Sequence, residues 1–248
     1  MRTTVIGIDC ATQDEKVGIA LGEVNELSCR ISHVQVCSKS QPLHQGVLNW
    51  IPKTGRVLLA IDAPLGWPVS MGRVLHDHSA GQPIAIDGNT LFRRETDRFV
   101  KSRIGQQPLD VGADRIARTA LAGLTLLGKV RSSLAEAIPL AWTPSYVDRV
   151  AAIEVYPAAT LKARGIPATG YKKPQHTEER RKIIKAVREA GIALDDLPAI
   201  EQYADALDAA LCVVAASDFL RGYAMEPVDV PLATKEGWIW VRKPLSTT

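Results

Sequence analysis

The sequence of 248 residues predicts an α/β protein, because strand-like and helix-like segments alternate along it. Runs of strand length that combine β-branched and other apolar residues lie at 3–9, 16–22, 29–38, 56–62 and 149–155. Segments with helical character lie at 42–52, 112–130, 178–188 and 205–216. Three of the strand runs stop on a carboxylate, and this pattern leads to the predicted site.

The first two runs, "TTVIGID" at 3–9 and "KVGIALG" at 16–22, are separated by a short polar connection. That arrangement is typical of a β-hairpin. The third run, "CRISHVQVCS" at 29–38, alternates imperfectly between apolar and polar residues. The fourth, "RVLLAID" at 56–62, is apolar enough for a strand that is covered on both faces.

A long segment separates the fourth strand from the fifth. It contains a Pro- and Gly-rich loop, the charged stretch "FRRETDRFVKSR" at 92–103 and the helix at 112–130. We therefore predict a single domain over 1–248 with an insertion or lid at 63–148.

Composition limits the possible classes of protein. Apolar residues make up 46% of the chain and charged residues 23%, which supports a sizeable core and argues against disorder. No apolar run reaches the length of a membrane span, and the N-terminus lacks a signal-peptide pattern, so we expect a cytoplasmic protein. A net charge of +3 is too weak to imply nucleic acid by itself.

The carboxylates at the strand ends are Asp9, Asp62 and Glu154, which close "VIGID", "VLLAID" and "VAAIE". Ligands and chemistry gather at such ends in α/β proteins, because the loops leaving the sheet form a crevice there. Each acid alone could instead be an ordinary turn former or helix cap. Together they predict a shared site.

The apolar helix "DALDAALCVVAA" adds Asp205 and Asp208, which lie three residues apart along the margin of its buried face. Pro198 predicts that this helix starts before Glu201. Both aspartates would then lie beyond the first turn, where the helix dipole explains them less well.

Four or five carboxylates in a small volume raise one another's pKa or require a cation. Oxygen ligands, with no histidine or thiolate in the pattern, favour Mg²⁺ or Mn²⁺ over zinc. The sequence therefore predicts a divalent-metal site.

The chain resembles the RNase H-like superfamily, and within it an uncharacterised family of predicted RNase H-like nucleases. The motifs that carry this resemblance are "GIDCA" at 7–11, "AIDAPLG" at 60–66, "EVYPA" at 154–158, "GYKKP" at 170–174, "YADALDAALC" at 203–212 and "EGWIWV" at 236–241. The resemblance implies a mixed five-stranded sheet flanked by helices. In that sheet strands 1, 2 and 3 form hairpins, strands 1, 4 and 5 are parallel neighbours, and the late helix crosses the edge where the acids lie.

The expected activity is that of a nuclease that hydrolyses phosphodiester bonds with two metal ions. Asp9 is expected to bridge the ions, and Asp62 and Asp208 to complete their ligand shells. Asp205 and Glu154 are expected either to bind metal directly or to orient the attacking water.

Contact with nucleic acid of unknown type is expected to come from cations. Lys172 and Lys173 of "GYKKP" are the stronger candidates. Arg93 and Arg94 of the charged stretch are weaker ones, because acids interleave that stretch, as is typical of an ordinary solvated face.

Two alternatives stay open. One is a phosphotransferase of the actin and sugar-kinase type, which "GIDCATQDEKVGIA" partly fits, although the chain lacks a second copy of that motif and a glycine-rich adenosine loop. The other is a catalytically inactive module that has the RNase H-like fold and only binds nucleic acid.

Overall fold

The computed structural model describes residues 2–38, 42–112, 114–195 and 197–244, which form a mixed β-sheet flanked by helices. The strands are β1 (Thr3–Asp9), β2 (Gly18–Val24), β3 (Cys29–Val36), β4 (Arg56–Asp62), β5 (Val150–Glu154) and β6 (Ile192–Leu194). The helices are α1 (Leu43–Trp50), α2 (Val69–His76), α3 (Gly88–Phe92), α4 (Glu95–Ile104), α5 (Asp114–Leu134), α6 (Pro157–Ala163), α7 (Thr177–Glu189), α8 (Pro198–Gln202), α9 (Ala204–Leu220) and α10 (Val230–Glu236).

The six strands are ordered β5-β4-β1-β2-β3-β6. β1 pairs with β2 and β2 with β3 in antiparallel fashion, whereas β1, β4 and β5 are parallel neighbours. The pairings expected for the first five strands are therefore present. The predicted count of five strands is wrong, because the three-residue strand β6 adds to β3 in parallel and is too short to show an alternating pattern.

Both faces of the sheet are buried. On one face, alternate strand residues such as Val5, Ala20 and Leu58 pack with α9. On the other face, Ile6, Leu59 and their neighbours pack with residues of α1 and α5. This double coverage explains why β4 is a continuous apolar run, as predicted.

Helix α9 lies unusually close to the sheet, because glycines face it from two strands. A Cβ atom built on Gly7 of β1 would lie 2.2 Å from the carbonyl oxygen of Ala209, and one on Gly18 of β2 would lie 2.0 Å from that of Asp205. Only glycine leaves room for backbone at these positions. The strand glycines thus determine the distance between the helix and the sheet.

The start of this helix differs from the prediction. Pro198 begins a separate short helix, α8, and Tyr203 has extended backbone angles before α9 begins at Ala204. Asp205 therefore lies in the first turn of α9, where a carboxylate complements the helix dipole, and Asp208 lies one turn further on.

The predicted insertion contains α2, α3, α4 and α5. Its longest helix, α5, approaches the sheet closely at Gly123, whose added Cβ would lie 3.1 Å from the side chain of Ala63. Among the residues with described structure, no helix has the length and apolar character needed to span a membrane.

Replacing Gly7 with alanine is expected to destabilise the fold by about 3 kcal/mol, because the new methyl group must displace the backbone of α9. Urea denaturation measures this loss. The control is Gly128→Ala in α5, where the added methyl group meets no atom within 4 Å and should stabilise the helix by up to about 1 kcal/mol. A Gly7→Ala variant as stable as the wild type would contradict the close packing.

Candidate functional site

Two of the predicted acids meet at the ends of neighbouring parallel strands. Asp9 of β1 and Asp62 of β4 are direct partners in the register of the sheet. Side chains alternate between the faces of a strand, so both carboxylates point to the face that α9 covers, as do Gly7 and Ala60 two residues before them. The sheet thus places two carboxylates side by side.

Helix α9 brings a third acid to this pair. Asp208 is only 1% exposed; it precedes Ala209 directly and lies one helical turn after Asp205, and the backbones of both of these residues contact the strand glycines. Its Oδ1 accepts a hydrogen bond of 2.6 Å from the hydroxyl of Tyr171, and its Oδ2 lies 2.7 Å from the Nζ of Lys172. The third acid is therefore held by two neighbours from "GYKKP".

Burial and repulsion between carboxylates raise the pKa values of Asp9, Asp62 and Asp205. Burial, followed by the charge of Asp208, raises the pKa of Asp62 from its ordinary value of 3.8 to about 8. The pKa of Asp9 is raised well above its ordinary value by burial and then by the charges of Asp208 and Asp62. Asp205 has a raised pKa too, because of partial burial and the charge of Asp208. The four predicted metal ligands therefore share one electrostatic cluster.

Lys172 is the cation of the cluster. Its side chain is 62% exposed, yet its ammonium group reaches Asp208, and its charge lowers the pKa of Asp9, Asp62 and Asp205 against the larger raising effects. Lys173, the other predicted lysine, is exposed.

Tyr171 was not among the predicted site residues, although it stands in a quoted motif. Its buried hydroxyl was not visible in the sequence.

Glu154 lies at the end of β5, at the same edge of the sheet as Asp9 and Asp62, but its side chain points in a different direction from theirs. In the parallel pair of β4 and β5 it lies opposite Ile61, not Asp62, so its side chain points to the other face of the sheet. Its carboxylate accepts hydrogen bonds from the Leu65 backbone N–H and from Arg94. These contacts give Glu154 a structural role at the back of the site.

The expected contact between Arg94 and a substrate is opposed by the burial and the hydrogen bonds of its guanidinium group. Its guanidinium group is 1% exposed and makes five hydrogen bonds, to Asp97, to Glu154 and to the carbonyl oxygen of Glu236. A guanidinium group has five N–H donors, so none remains for a phosphate. Arg93, the neighbouring candidate, donates to Asp110 and Asn89.

A cleft of about 280 Å³ opens over the strand ends, and we call it the acid cleft. Its lining residues are Asp9, Cys10, Asp62, Ala63, Pro64, Arg94, Asp97, Pro108, Leu109, Ile116, Thr119, Glu154, Val155, Tyr156, Lys172 and Ile239. Asp9, Asp62 and Lys172 thus line the same cleft. The buried Asp208 is not among its lining residues, but its carboxylate contacts the ammonium group of Lys172. The insertion contributes a large part of the wall.

The fit of the site to a metal ion can be judged from its donors. In the ranges that the structure describes, no three His, Cys, Asp or Glu side chains form a group that could hold a metal ion. Mg²⁺ is commonly bound through one or two carboxylates, with water and substrate phosphate as the other ligands. Asp9 and Asp62 provide such a pair, so their chemistry fits a cation shared with a substrate better than a closed protein cage.

The raised pKa of Asp62 predicts a pH-dependent stability in metal-free protein. Between pH 4 and 8 the folded state keeps a proton that the unfolded state has released, so stability falls as pH rises through this window. Asp62→Asn removes the charge and is expected to be more stable than the wild type at pH 8 by about 1–3 kcal/mol, with no advantage near pH 4.

Urea denaturation in EDTA across this pH range tests the prediction. Asp77→Asn is the control, because the Asp77 side chain is 91% exposed and its replacement should change little. Lower stability of Asp62→Asn than of the wild type at pH 8 would refute the proposed repulsion.

Arg94→Met is expected to lower the free energy of unfolding by about 3–5 kcal/mol, because it leaves the buried carboxylates of Asp97 and Glu154 unpaired. Arg93→Met, which removes a more exposed ion pair with Asp110, should cost about 1 kcal/mol or less. Chemical denaturation of both variants measures the difference. Equal losses of stability in the two variants would show that the hydrogen bonds of Arg94 do not stabilise this part of the site.

Comparison with known proteins assigns the chain to a family. No curated protein and no solved structure matches it. The model of the family described as "Protein of unknown function (DUF429)" matches residues 7–232, which is most of the chain, and the protein therefore belongs to this family.

Proposed function

We propose that this protein is a Mg²⁺- or Mn²⁺-dependent hydrolase of phosphodiester bonds in nucleic acid, with an RNase H-like arrangement of its sheet and acids. The observation that carries the proposal is the pairing of Asp9 with Asp62 at the ends of parallel strands, beside Asp208 and in an open cleft. Carboxylates with strongly raised pKa values in a cleft are typical of functional sites.

Asp9 and Asp62 would hold the cation, because they are the cluster's carboxylates that line the acid cleft. When bound, a divalent cation polarises a phosphoryl oxygen and lowers the pKa of a coordinated water. Two ions were expected from the sequence. The geometry favours one ion at Asp9 and Asp62, with the ammonium of Lys172 as the second positive charge.

Lys172 would bind the substrate phosphate. Its ammonium is oriented by the buried carboxylate of Asp208, which Tyr171 in turn holds through its hydroxyl. An exposed lysine with a fixed head group can position a phosphate without reading bases. Asp208 is then a positioning residue for Lys172, and Asp205 contributes negative charge next to it.

A second candidate is a module that binds nucleic acid without cleaving it. The observation in its favour is that Lys172 already compensates part of the cluster's charge, while the described residues contain no group of three metal ligands. In that case the acids would need no metal, and added Mn²⁺ would neither stabilise the protein nor cause cleavage.

Cleavage assays test the first proposal. We expect wild-type protein with Mn²⁺ to cleave at least one member of a panel of labelled DNA, RNA, hybrid and branched substrates. Asp9→Asn and Asp62→Asn should lower the rate at least about 100-fold through loss of the cation, and Lys172→Ala about 10-fold or more through loss of phosphate contact. Asp77→Asn is the control and should retain the wild-type rate.

Thermal unfolding provides a readout that does not depend on turnover. Mn²⁺ at about 100 times its Kd should stabilise the wild type by about 2.7 kcal/mol, and Asp62→Asn by much less. Absence of both cleavage and Mn²⁺ stabilisation would favour the binding module. Hydrolysis of ATP in place of nucleic acid would favour a phosphotransferase.

A further inference from the structure

A second cavity, of about 370 Å³, adjoins the acid cleft, and we call it the basic cavity. Consecutive residues of one segment line the two spaces. Asp9 and Cys10 line the acid cleft, and the next residues of the chain, Ala11 and Thr12, line the basic cavity.

Helix α5 provides the second shared element. Its residues Ile116 and Thr119 line the acid cleft, whereas Arg118, Ala122 and others one step round the helix line the basic cavity. The two spaces are therefore neighbours along both of these segments.

The charges of this cavity favour an anion. Arg118 and Lys129 are exposed lining residues, and His44 of α1 lies with them. Asp14 is the only acid among the lining residues that the structure describes, and its carboxylate accepts a hydrogen bond from the Leu43 backbone N–H at the start of α1. The charged side chains that line the basic cavity therefore carry a net positive charge, whereas those that line the acid cleft carry a net negative charge.

Arg118 can also leave its present carboxylate partner and bind a phosphate. The side chain of Arg118 is 76% exposed, and its ion pair with Asp114 is long at 3.8 Å, so little stability is lost when a phosphate replaces the carboxylate. Arg118, Ala122, Thr125 and Lys129 share one face of α5, because they are spaced at four, three and four residues.

The length of this face matches a polymer. Lys129 comes eleven residues after Arg118 in α5, which corresponds to about 16 Å along the helix axis. In a duplex, the phosphates of one strand are spaced at about 3.4 Å per nucleotide along the duplex axis. One mononucleotide in the acid cleft would leave these cations unused, whereas a strand would reach both.

We propose that the basic cavity binds successive phosphates of a nucleic-acid strand whose scissile phosphate lies in the acid cleft. This inference rests on the proposed hydrolase function and names its substrate class as a polynucleotide. Thr12 and Thr125 also line this cavity, and threonine hydroxyls can donate to phosphate oxygens.

Binding measured without turnover tests the inference. Fluorescence anisotropy in EDTA compares a labelled single-stranded 12-nucleotide DNA with a labelled dinucleotide on the full-length protein. We expect the wild type to bind the longer ligand more tightly, and Arg118→Ala/Lys129→Ala to reduce that length preference about tenfold. The slope of log K against log salt should fall by about 1.4, because each contact with a single strand contributes about 0.7.

The matched control is Lys182→Ala, an exposed lysine on α7 that lines neither the acid cleft nor the basic cavity and should leave binding at the wild-type level. An unchanged length preference and salt slope in the double variant would overturn the inference, as would failure of the wild type to bind the 12-nucleotide strand. Because this assay needs neither metal nor hydrolysis, these outcomes are separate from loss of Mn²⁺-dependent cleavage, which tests the proposed function.

Discussion

The contact between α9 and the glycines of β1 and β2 determines the arrangement of the site. Carbonyl oxygens of the helix occupy the space that side chains would take at Gly7 and Gly18. The helix therefore cannot retreat from the strands without losing its core packing. Asp208 is held near Asp9 and Asp62 by this backbone contact, although like charges repel at such range. The fold thus maintains an unfavourable charge cluster that a proton or a cation relieves.

Two groups of buried acids in this region differ in what holds their carboxylates. Those of Glu154 and Asp97 accept hydrogen bonds from the guanidinium of Arg94, which has no donor left over, although burial still raises the pKa of Glu154. Asp9 and Asp62 are compensated only in part, by the charge of Lys172, and their pKa values remain raised. A hydrogen-bonded network stabilises structure, whereas a partly compensated pair facing a cleft is suited to a ligand. This contrast separates the structural acids from the candidate functional ones.

The sequence predicted much of this arrangement, because strand runs that end on an acid are a local pattern. Asp9 and Asp62 were found in this way, Asp208 was found from its place along the buried margin of an apolar helix, and the parallel pairing of strands 1, 4 and 5 came from the family resemblance. The direction of Glu154 depends on a one-residue choice of register between β4 and β5, which no local pattern reveals. The break at Tyr203 and the burial of Arg94 likewise depend on tertiary contacts that override the signals of Pro198 and of a charged run.

The long segment between β4 and β5 is best understood as part of the site. It contributes Arg94 and Asp97 to the buried network, and Ile116 and Thr119 of α5 to the wall of the acid cleft. The same helix carries the cations of the basic cavity. The acids are thus supplied by the sheet and α9, whereas much of the wall of both cavities is supplied by the insertion. Under the proposed function, changes on the exposed face of α5 would therefore alter what is bound while leaving the paired carboxylates in place.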